Sequence, residues 1–212
     1  MIGRGVLLEC LKCEDVESIL SIGRNPSGEK HPKLKEMILN NSKEFKNHAD
    51  ELKEYNACFF CLGVSSAGIS EAEYHRITYT MTKEFAGVIG SVNRGLCFIY
   101  ISATGADSSE KGKIAWARVK GKTENMLLGM GFDSVYMLRP GFIEPLDGIT
   151  SRTALYRWLY ILLAPFTPLL KKLMGEKITD TRRIGQAMIH LARRGYKKTY
   201  LENIDINDAA KR

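Results

Sequence analysis

Apolar runs and helical patterns alternate along most of the chain. Short or continuous apolar runs predict strands at residues 18–22, 35–39, 57–62, 96–101, 134–138 and 199–201. Apolar residues at helical spacing predict helices at residues 3–11, in the second half of 40–55, and at 71–89, 110–130, 155–173 and 181–194. The alternation of buried strands with helices of this length predicts a doubly wound α/β fold, in which a parallel sheet is covered on both faces.

The length and composition are those of an ordinary folded protein. The chain has 212 residues, of which 44% are hydrophobic and 26% charged, and this suits one domain with a sizeable core. The rhythm of strands and helices changes after Gly141. We therefore predict a sheet-containing core in residues 1–145. Residues 146–212 are expected to form a helical segment of the same domain, at the carboxyl edge of the sheet where open α/β folds bind ligands.

The net charge of +7 is compatible with nucleic acid, a membrane surface or a phosphorylated small molecule as the partner. The basic residues are spread thinly and form no arm or stripe interleaved with aromatic residues, so nucleic-acid binding is not expected. The apolar window at residues 155–170 is broken by Arg157, Pro165 and Pro168 and is too short to span a bilayer. It predicts a buried or lid-forming helix, and contact with a membrane surface is the less favoured alternative.

The N-terminal residues and the cysteines both indicate a reducing compartment. Residues 1–11 contain Arg4 and lack a small-residue cleavage site, so we predict a cytoplasmic location. The five cysteines include two C-x-x-C pairs, Cys10/Cys13 and Cys58/Cys61. Cys58 and Cys61 lie in a strand-like run, where residues three apart point to opposite faces. They are therefore not expected to share a metal ion, and no metal site is predicted.

Two basic positions carry candidate phosphate chemistry. Gly3-Arg4-Gly5 opens the first predicted helix, where a glycine lets the backbone approach a phosphate that the helix amides then bind. Glycine is also common at helix starts that bind nothing. Arg24 follows the strand at 18–22, where an Arg pairs with a 2′-phosphate and an acid would instead hold a ribose hydroxyl. A solvated loop Arg explains this position equally well.

A third candidate group lies at the end of the strand at 96–101. Ser102 and Thr104 leave that strand, and Trp116 and Lys120 share one face of the helix that follows. A strand-end hydroxyl facing a helical Lys is an arrangement in which the Lys holds ribose hydroxyls and lowers the pKa of a nearby proton donor. Thr104 is the better placed of the two hydroxyls. A turn hydroxyl and a solvated Lys are the alternative interpretation.

Six segments in this order carry a resemblance to a known family: Met1-Ile-Gly-Arg4, Ser21-Ile-Gly-Arg24, Cys61-Leu-Gly63, Tyr100-Ile-Ser-Ala-Thr-Gly-Ala-Asp107, Trp116-Ala-Arg-Val-Lys-Gly121 and Leu138-Arg-Pro-Gly141. Over nearly its whole length the chain resembles the atypical short-chain dehydrogenase/reductases. It looks closest to bacterial NAD-dependent epimerase/dehydratase relatives and to the Tat-interacting oxidoreductase-like proteins of animals. The resemblance implies a dinucleotide-binding Rossmann core in residues 1–145, a small-molecule substrate, and helices 71–89 and 110–130 as the surfaces through which relatives form homodimers.

The resemblance also implies roles for individual residues. Thr104 would be the family's catalytic Ser/Thr and Lys120 its active-site Lys. The cofactor would lie against a larger set of residues: Gly3, Arg4, Arg24, Cys61, Leu62, Gly63, Ser102, Lys120, Pro140, Gly141 and Phe142. Because that set contains Arg24 where an acid would favour NAD, it implies NADP as the preferred cofactor.

Two departures from the family pattern change the expected function. The acid/base Tyr of the family's Y-x-x-x-K motif is Trp116 here, and an indole N–H does not exchange protons with a carbonyl substrate near neutral pH. The family's first strand and first two fingerprint glycines would precede Met1, so that strand is expected to be missing. The predicted function is an NADP(H)-binding oxidoreductase or epimerase relative without the usual proton donor. The alternative is a non-catalytic, nucleotide-sensing regulatory or scaffold protein that binds a protein partner.

Overall fold

The computed structural model describes residues 1–149 and 175–212, so the helix predicted at residues 155–173 lies outside the described part. The strands, in chain order, are β1 (Ile19–Gly23), β2 (Leu34–Ile38), β3 (Ala57–Phe60), β4 (Cys97–Ile101), β5 (Ser134–Arg139), β6 (Phe142–Glu144), β7 (Ile178–Asp180) and β8 (Tyr200–Glu202). The helices are α1 (Ile2–Lys12), α2 (Glu71–His75), α3 (Met81–Val92), α4 (Ala115–Leu128), α5 (Thr181–Arg194) and α6 (Asn203–Ala210). A π-helical segment at Arg76–Thr80 joins α2 to α3, and 3-10 helices span Ser42–Leu52 and Gly175–Lys177.

Every strand pair in the described residues is parallel. β3, β4, β5 and β8 form a four-stranded sheet in the order β3-β4-β5-β8, while β1 pairs with β2 and β6 pairs with β7. Within the described part of the chain, no backbone pairing joins β1 to β3. Helices cover both faces of the sheet, which confirms the predicted doubly wound α/β fold. None of the helices in residues 1–149 and 175–212 has the length and apolar character that a membrane crossing needs.

Alternate residues of the fully buried strand β4 contribute to two hydrophobic cores, one on each face of the sheet. Ile99 and Ile101 pack with residues of α1, α5 and α6. Phe98 and Tyr100 pack on the other face with residues of α3, α4 and the first 3-10 helix. The chain therefore forms three layers, with helices on either side of the strands.

The strands beside β4 follow the same alternation. Cys61 packs against the core that contains Ile99, and Cys58 packs against the core that contains Phe98, so the predicted opposite orientation of this cysteine pair is confirmed. In β1, Ile19 and Leu20 divide between the two cores in the same way. The β1–β2 pair therefore continues the layer of the four-stranded sheet, even though no strand pairing in the described residues joins the two.

Several element boundaries differ from the prediction. Strand β3 ends at Phe60, before the predicted end at residue 62. Helix α4 begins at Ala115 instead of residue 110, because the carboxylate of Asp107 accepts hydrogen bonds from the backbone N–H groups of Ser109 (3.0 Å) and Gly112 (2.7 Å) and holds these residues in a loop. Strands β6 and β7 and helix α6 were not predicted. Each of the two strands has only three residues, which is too short for a periodic pattern.

Glycines allow α1 and α5 to pack in close contact. A Cβ atom on Gly5 would lie 2.7 Å from the Cβ of Thr181, and one on Gly185 would lie 2.8 Å from the Cβ of Glu9. The buried carboxylate of Glu9 in turn accepts a hydrogen bond from Gln186 at 2.9 Å. These contacts fix α1 against α5, and thereby fix the position of the N-terminus of α1.

Candidate functional site

The carboxyl ends of the strands bring together most of the predicted site residues. Arg24 follows β1, Cys61 follows β3, Ser102 follows β4 and Pro140 follows β5. At the opposite ends, the Tyr55 side chain before β3 lies beside the Ser18 side chain before β1, so these two strands begin side by side. Because parallel strands that begin together also end at one edge, the candidate residues share the edge at which α/β folds bind ligands.

The N-terminus of α1 lies at this edge. A Cβ atom on Gly3 would lie 3.3 Å from the Cβ of Cys61, so the helix start and the end of β3 are in close contact. Arg4 forms an ion pair of 3.2 Å with Glu29, in the loop after β1. The structure therefore places Gly3, Arg4, Cys61 and the loop that contains Arg24 in one neighbourhood.

The first turn of α1, which the structure describes in full, has the features of an anion site. Its N-cap residue, Met1, makes no side-chain hydrogen bond to the helix, and its first turn contains no acidic residue. The unpaired amide N–H groups and the positive end of the helix dipole therefore have no negative partner from α1 itself. Arg4, about half exposed, adds positive charge at the same place. Burial raises the pKa of the adjacent Cys61 thiol, so this thiol is neutral at pH 7.

The remaining residues on this side are exposed. Arg24 is exposed, and in the described residues it forms no ion pair with an acid. Leu62 and Gly63, which follow β3, are exposed as well, and a Cβ atom on Gly63 would meet no other atom within 4 Å. An Arg with no carboxylate partner in the described residues, near a helix N-terminus, leaves positive charge available for a ligand.

Thr104 is the centre of a second group of residues at the edge of the sheet. Its backbone N–H donates to the carbonyl of Pro140 at 3.1 Å, and its Oγ1 donates to Oε2 of Glu202. Its methyl carbon lies 3.7 Å from the position of a Cβ on Gly141. Gly141 in turn donates its N–H to Oδ1 of Asn203 at 3.1 Å. The structure thus joins Thr104 to the predicted loop after β5 and adds two residues that sequence reasoning missed.

Asn203 secures that loop. Its Nδ2 donates to the carbonyls of Phe142 (3.2 Å) and Lys177 (2.6 Å), so one buried side chain links β6 and the start of β7 to α6. Glu202 is the last residue of the short strand β8, which the sequence predicts at 199–201, and Asn203 follows it. The rule that strand ends meet at one edge would have identified both residues if it had been applied to this last strand.

Trp116 and Lys120 occupy different surroundings although they share a helix. The Trp116 ring covers Gly105, where an added Cβ would lie 3.5 Å from it. Lys120 is 7% exposed, and its Nζ donates to Oη of Tyr100 at 3.1 Å and to the carbonyl of Ile101 at 3.0 Å. The interpretation of Lys120 as a solvated helix Lys is therefore wrong. Its predicted contact with a ribose stays a prediction, since both of these bonds lie in the protein interior.

Ser102 is buried beside this lysine. Its backbone N–H donates to the carbonyl of Leu138 at 2.7 Å, but its hydroxyl has no hydrogen-bond partner among the described residues. A buried hydroxyl without a partner costs about 1–3 kcal/mol. Ser102 is thus an unsatisfied polar group at a position where the resemblance implies contact with a cofactor.

Burial lowers the pKa of Lys120 to about 8, and the nearby Glu124 carboxylate offsets part of that effect. The folded chain releases this proton near pH 8, whereas the unfolded chain holds it until about pH 10.5. Between those values the unfolded state binds more protons, so the contribution of Lys120 to stability rises with pH. The full difference corresponds to about 3 kcal/mol, at about 1.4 kcal/mol per pH unit.

We therefore expect the stability difference between the wild type and Lys120→Met to depend on pH. Measured by urea unfolding, the free energy of unfolding of the wild type should rise relative to the variant by roughly 2 kcal/mol from pH 7.5 to 9.5. The exposed Lys113→Met is the matched control, and its difference from the wild type should not change with pH. A difference for Lys120→Met that is constant over this range would contradict the buried, proton-releasing amine.

A buried ion pair connects the helix of Lys120 to strand β5. The fully buried Glu124 accepts from Nε (2.9 Å) and Nη2 (2.5 Å) of Arg139, and Arg139 also donates to Oγ of Ser108 at 2.7 Å. The Arg139 guanidinium stacks over the Tyr200 ring, 4.4 Å from its centroid. The pair therefore links α4, β5, β8 and the loop after Thr104, and supports the candidate site from within. No group of three or more His, Cys, Asp or Glu side chains that could hold a metal ion occurs in the described ranges.

The sequence matches no protein-family model and no curated protein sequence. Solved structures do resemble the fold. A UDP-glucuronic acid 4-epimerase from Bacillus cereus in complex with NAD is 12% identical with a TM-score of 0.67, and the match covers 95% of this chain and 74% of that one. A short chain dehydrogenase from Burkholderia cenocepacia in complex with NADP is 13% identical with a TM-score of 0.64, covering 95% and 82%.

A third similar structure is a short chain dehydrogenase/reductase from Saccharomyces cerevisiae. Of the three structures, it is the one of which the match covers the largest share. It is 12% identical with a TM-score of 0.66, and the match covers 98% of this chain and 94% of that one. Similarity at these identities concerns the fold alone. The chain has a Rossmann-like α/β fold similar to that of this epimerase and these short chain dehydrogenases.

Proposed function

We propose that this chain binds a nicotinamide dinucleotide along the carboxyl edge of its sheet, prefers NADP(H) to NAD(H), and is an oxidoreductase or epimerase-like enzyme. The observation that carries the proposal is the N-terminus of α1. The first-turn amides of this helix, the close contact of Gly3 with Cys61 and the half-exposed Arg4 would together form a site for a pyrophosphate. Two of the solved structures of similar fold contain NAD or NADP, which supports the same class of cofactor here.

Arg24 supports the preference for NADP(H). It follows β1, is exposed, and has no carboxylate partner in the described residues. A guanidinium at this place pairs with a 2′-phosphate, whereas discrimination in favour of NAD(H) needs an acid that holds the ribose 2′-hydroxyl. Glu29 in the same loop is engaged by Arg4, so it does not offset the charge of Arg24 directly.

The residues at the other end of the edge fit a nicotinamide ribose. The buried hydroxyl of Ser102, which has no partner in the described residues, would gain one, and Pro140, Gly141 and Phe142 form a loop held in place by Asn203. When bound, the dinucleotide supplies hydride transfer. The exposed Thr104 would contact the oxygen of the reacting substrate, since its hydroxyl is fixed at this edge.

A second candidate function is a nucleotide-sensing protein without catalysis. Two observations favour it. The indole N–H of Trp116 is not acidic enough to serve as a proton donor to a substrate. Lys120 is hydrogen-bonded to Tyr100 and Ile101 in the interior. In this case the dinucleotide would set the conformation of the edge loops, and another protein would bind there. Both functions require the cofactor site, so binding is tested first.

Titration of NADPH and NADH, followed by cofactor fluorescence, tests the site. We expect saturable binding of both with NADPH at least about tenfold tighter, which corresponds to about 1.4 kcal/mol. Arg24→Ala should weaken NADPH binding by about the same factor and leave NADH binding unchanged. Arg94→Ala, before β4 at the amino edge of the sheet, is the matched control and should change neither.

The possible outcomes separate the parts of the proposal. If neither nucleotide binds, the cofactor site is wrong. If NADH binds more tightly than NADPH, the role of Arg24 is wrong although the site remains. Binding without turnover of any alcohol or carbonyl compound would favour the non-catalytic candidate.

A further inference from the structure

The proton of the Thr104 hydroxyl is committed to a carboxylate. Thr104 Oγ1 donates its single proton to Oε2 of Glu202. The backbone holds both residues in place, because Thr104 N–H donates to the Pro140 carbonyl at 3.1 Å and Glu202 pairs in register with Arg139, the residue before Pro140. The contact thus joins the ends of β4, β5 and β8.

This commitment determines what Thr104 can offer a ligand. A hydroxyl whose proton is donated presents only its lone pairs, so it accepts a hydrogen bond from an alcohol O–H and has none to donate to a carbonyl. Thr104 is exposed, and Glu202 is half-buried behind it. A substrate therefore reaches Thr104, while the carboxylate lies one hydrogen bond further in.

We infer that Glu202, acting through Thr104, is the proton acceptor of this site, and that the site takes an alcohol as the substrate to be oxidised. This inference rests on the proposed dinucleotide-binding function. It supplies the acid/base group that is missing where Trp116 stands. Thr104 would be the catalytic residue, because it touches the substrate oxygen, and Glu202 would be a positioning residue behind it.

Two bonds of the alcohol break in the proposed step. The O–H bond of the alcohol breaks and its proton passes to Oγ1 of Thr104, while the proton already on Oγ1 passes to Oε2 of Glu202. The C–H bond of the carbinol carbon breaks and its hydride is transferred to the oxidised nicotinamide dinucleotide. The alcohol is oxidised to a carbonyl compound and the dinucleotide is reduced. In the reverse direction, a protonated Glu202 lets Thr104 donate to the carbonyl oxygen.

In the described residues, the charged side chains near Glu202 are engaged with other partners. Arg139 faces it from β5 and interacts with it electrostatically, but the Arg139 guanidinium is hydrogen-bonded to Glu124. On α6, Asp205 is paired with Lys198 at 2.6 Å. Glu202 is thus the carboxylate that Thr104 contacts.

The kinetic test uses the full chain with NADP⁺ and three secondary alcohols, 2-propanol, cyclohexanol and inositol. We expect oxidation by the wild type, and a kcat about 100-fold lower in both Glu202→Gln and Thr104→Val, as is typical when an acid/base group is lost. Thr104→Ser keeps the hydroxyl and should restore most of the activity. Asp205→Asn, a carboxylate change on neighbouring α6, should leave kcat unchanged.

The split between kcat and KM separates proton transfer from a purely structural role. In Glu202→Gln, kcat should fall while the KM for the alcohol stays near the wild-type value, because Glu202 does not contact the substrate. A second readout needs no cofactor or turnover. Because Thr104→Val removes this hydrogen bond and Glu202→Gln makes its acceptor neutral, the two substitutions act on one interaction, and their effects on the urea midpoint of the free chain should be non-additive.

Three results would overturn the inference while NADPH still binds. These are a wild-type kcat in Glu202→Gln, additive effects of the two substitutions on the urea midpoint, and oxidation of none of the three alcohols by the wild type. Failure of NADPH to bind is measured separately and contradicts the proposed function itself. The two failures are therefore distinguishable.

Discussion

Gly121→Ala is expected to destabilise the protein by about 3 kcal/mol or more. A Cβ atom on Gly121 of α4 would lie 1.8 Å from the carbonyl oxygen of Asp107 and 2.7 Å from the backbone nitrogen of Ser108. These neighbours are backbone atoms, so no side-chain rotation relieves the overlap. The loop is also tied to the same helix by the hydrogen bond of 2.9 Å from Asp107 N–H to the Ala117 carbonyl. Either the loop or α4 must move.

Thermal unfolding measures the effect, with an expected decrease in Tm of roughly 6–12 °C for a chain of this size. Gly87→Ala is the matched control, because Gly87 also lies in a helix, α3, where an added Cβ meets nothing within 4 Å. That substitution should stabilise the protein by up to about 1 kcal/mol, since alanine has the higher helix propensity. An unchanged Tm in Gly121→Ala would show that the loop does not pack on α4 as described.

Arg139→Met is expected to cost about 3–5 kcal/mol, because it leaves the fully buried Glu124 carboxylate without its charged partner. Oγ of Ser108, 3.4 Å from the same carboxylate, is too weak a replacement for two hydrogen bonds from a guanidinium. The urea midpoint should decrease accordingly.

A double variant makes this prediction specific to the charge. Arg139→Met combined with Glu124→Leu removes both ions, and it should recover a large part of the stability that Arg139→Met alone loses. Arg76→Met is the surface control, since Arg76 pairs with Glu73 on an exposed helix face, and it should change the midpoint little. Additive losses in the double variant would contradict the cost of an unpaired buried carboxylate as the cause.

The long elements of the fold were predictable because their patterns are strong. Strand β4 is a continuous apolar run buried on both faces, and α5 was predicted with its observed bounds, residues 181–194. The three-residue strands β6 and β7 were missed because their pairing is determined by contacts distant in sequence, among them the bonds of Asn203 to Phe142 and Lys177. The late start of α4 was missed because the Asp107 carboxylate binds amides that a helix would otherwise use.

The residues of the candidate site were also predictable only in part. Strand ends and the resemblance together pointed to Arg4, Arg24 and Thr104, since these depend only on position along the chain. The burial of Lys120 against Tyr100 could not be predicted, because Tyr100 lies on β4 and its hydroxyl meets Lys120 only once α4 packs against that strand. Glu202 was missed for a related reason, as 98 residues separate it from Thr104.

The amino-acid sequence by itself determined the alternation of strands and helices, the parallel arrangement of the sheet, and the placement of polar residues at the carboxyl ends of its strands. These follow from local periodicity and from the length of each crossover. Only the tertiary structure decided which of those residues are exposed, which carboxylate receives the proton of Thr104, and which lysine is enclosed. Such outcomes depend on burial and on hydrogen bonds between distant segments, and local sequence patterns predict neither.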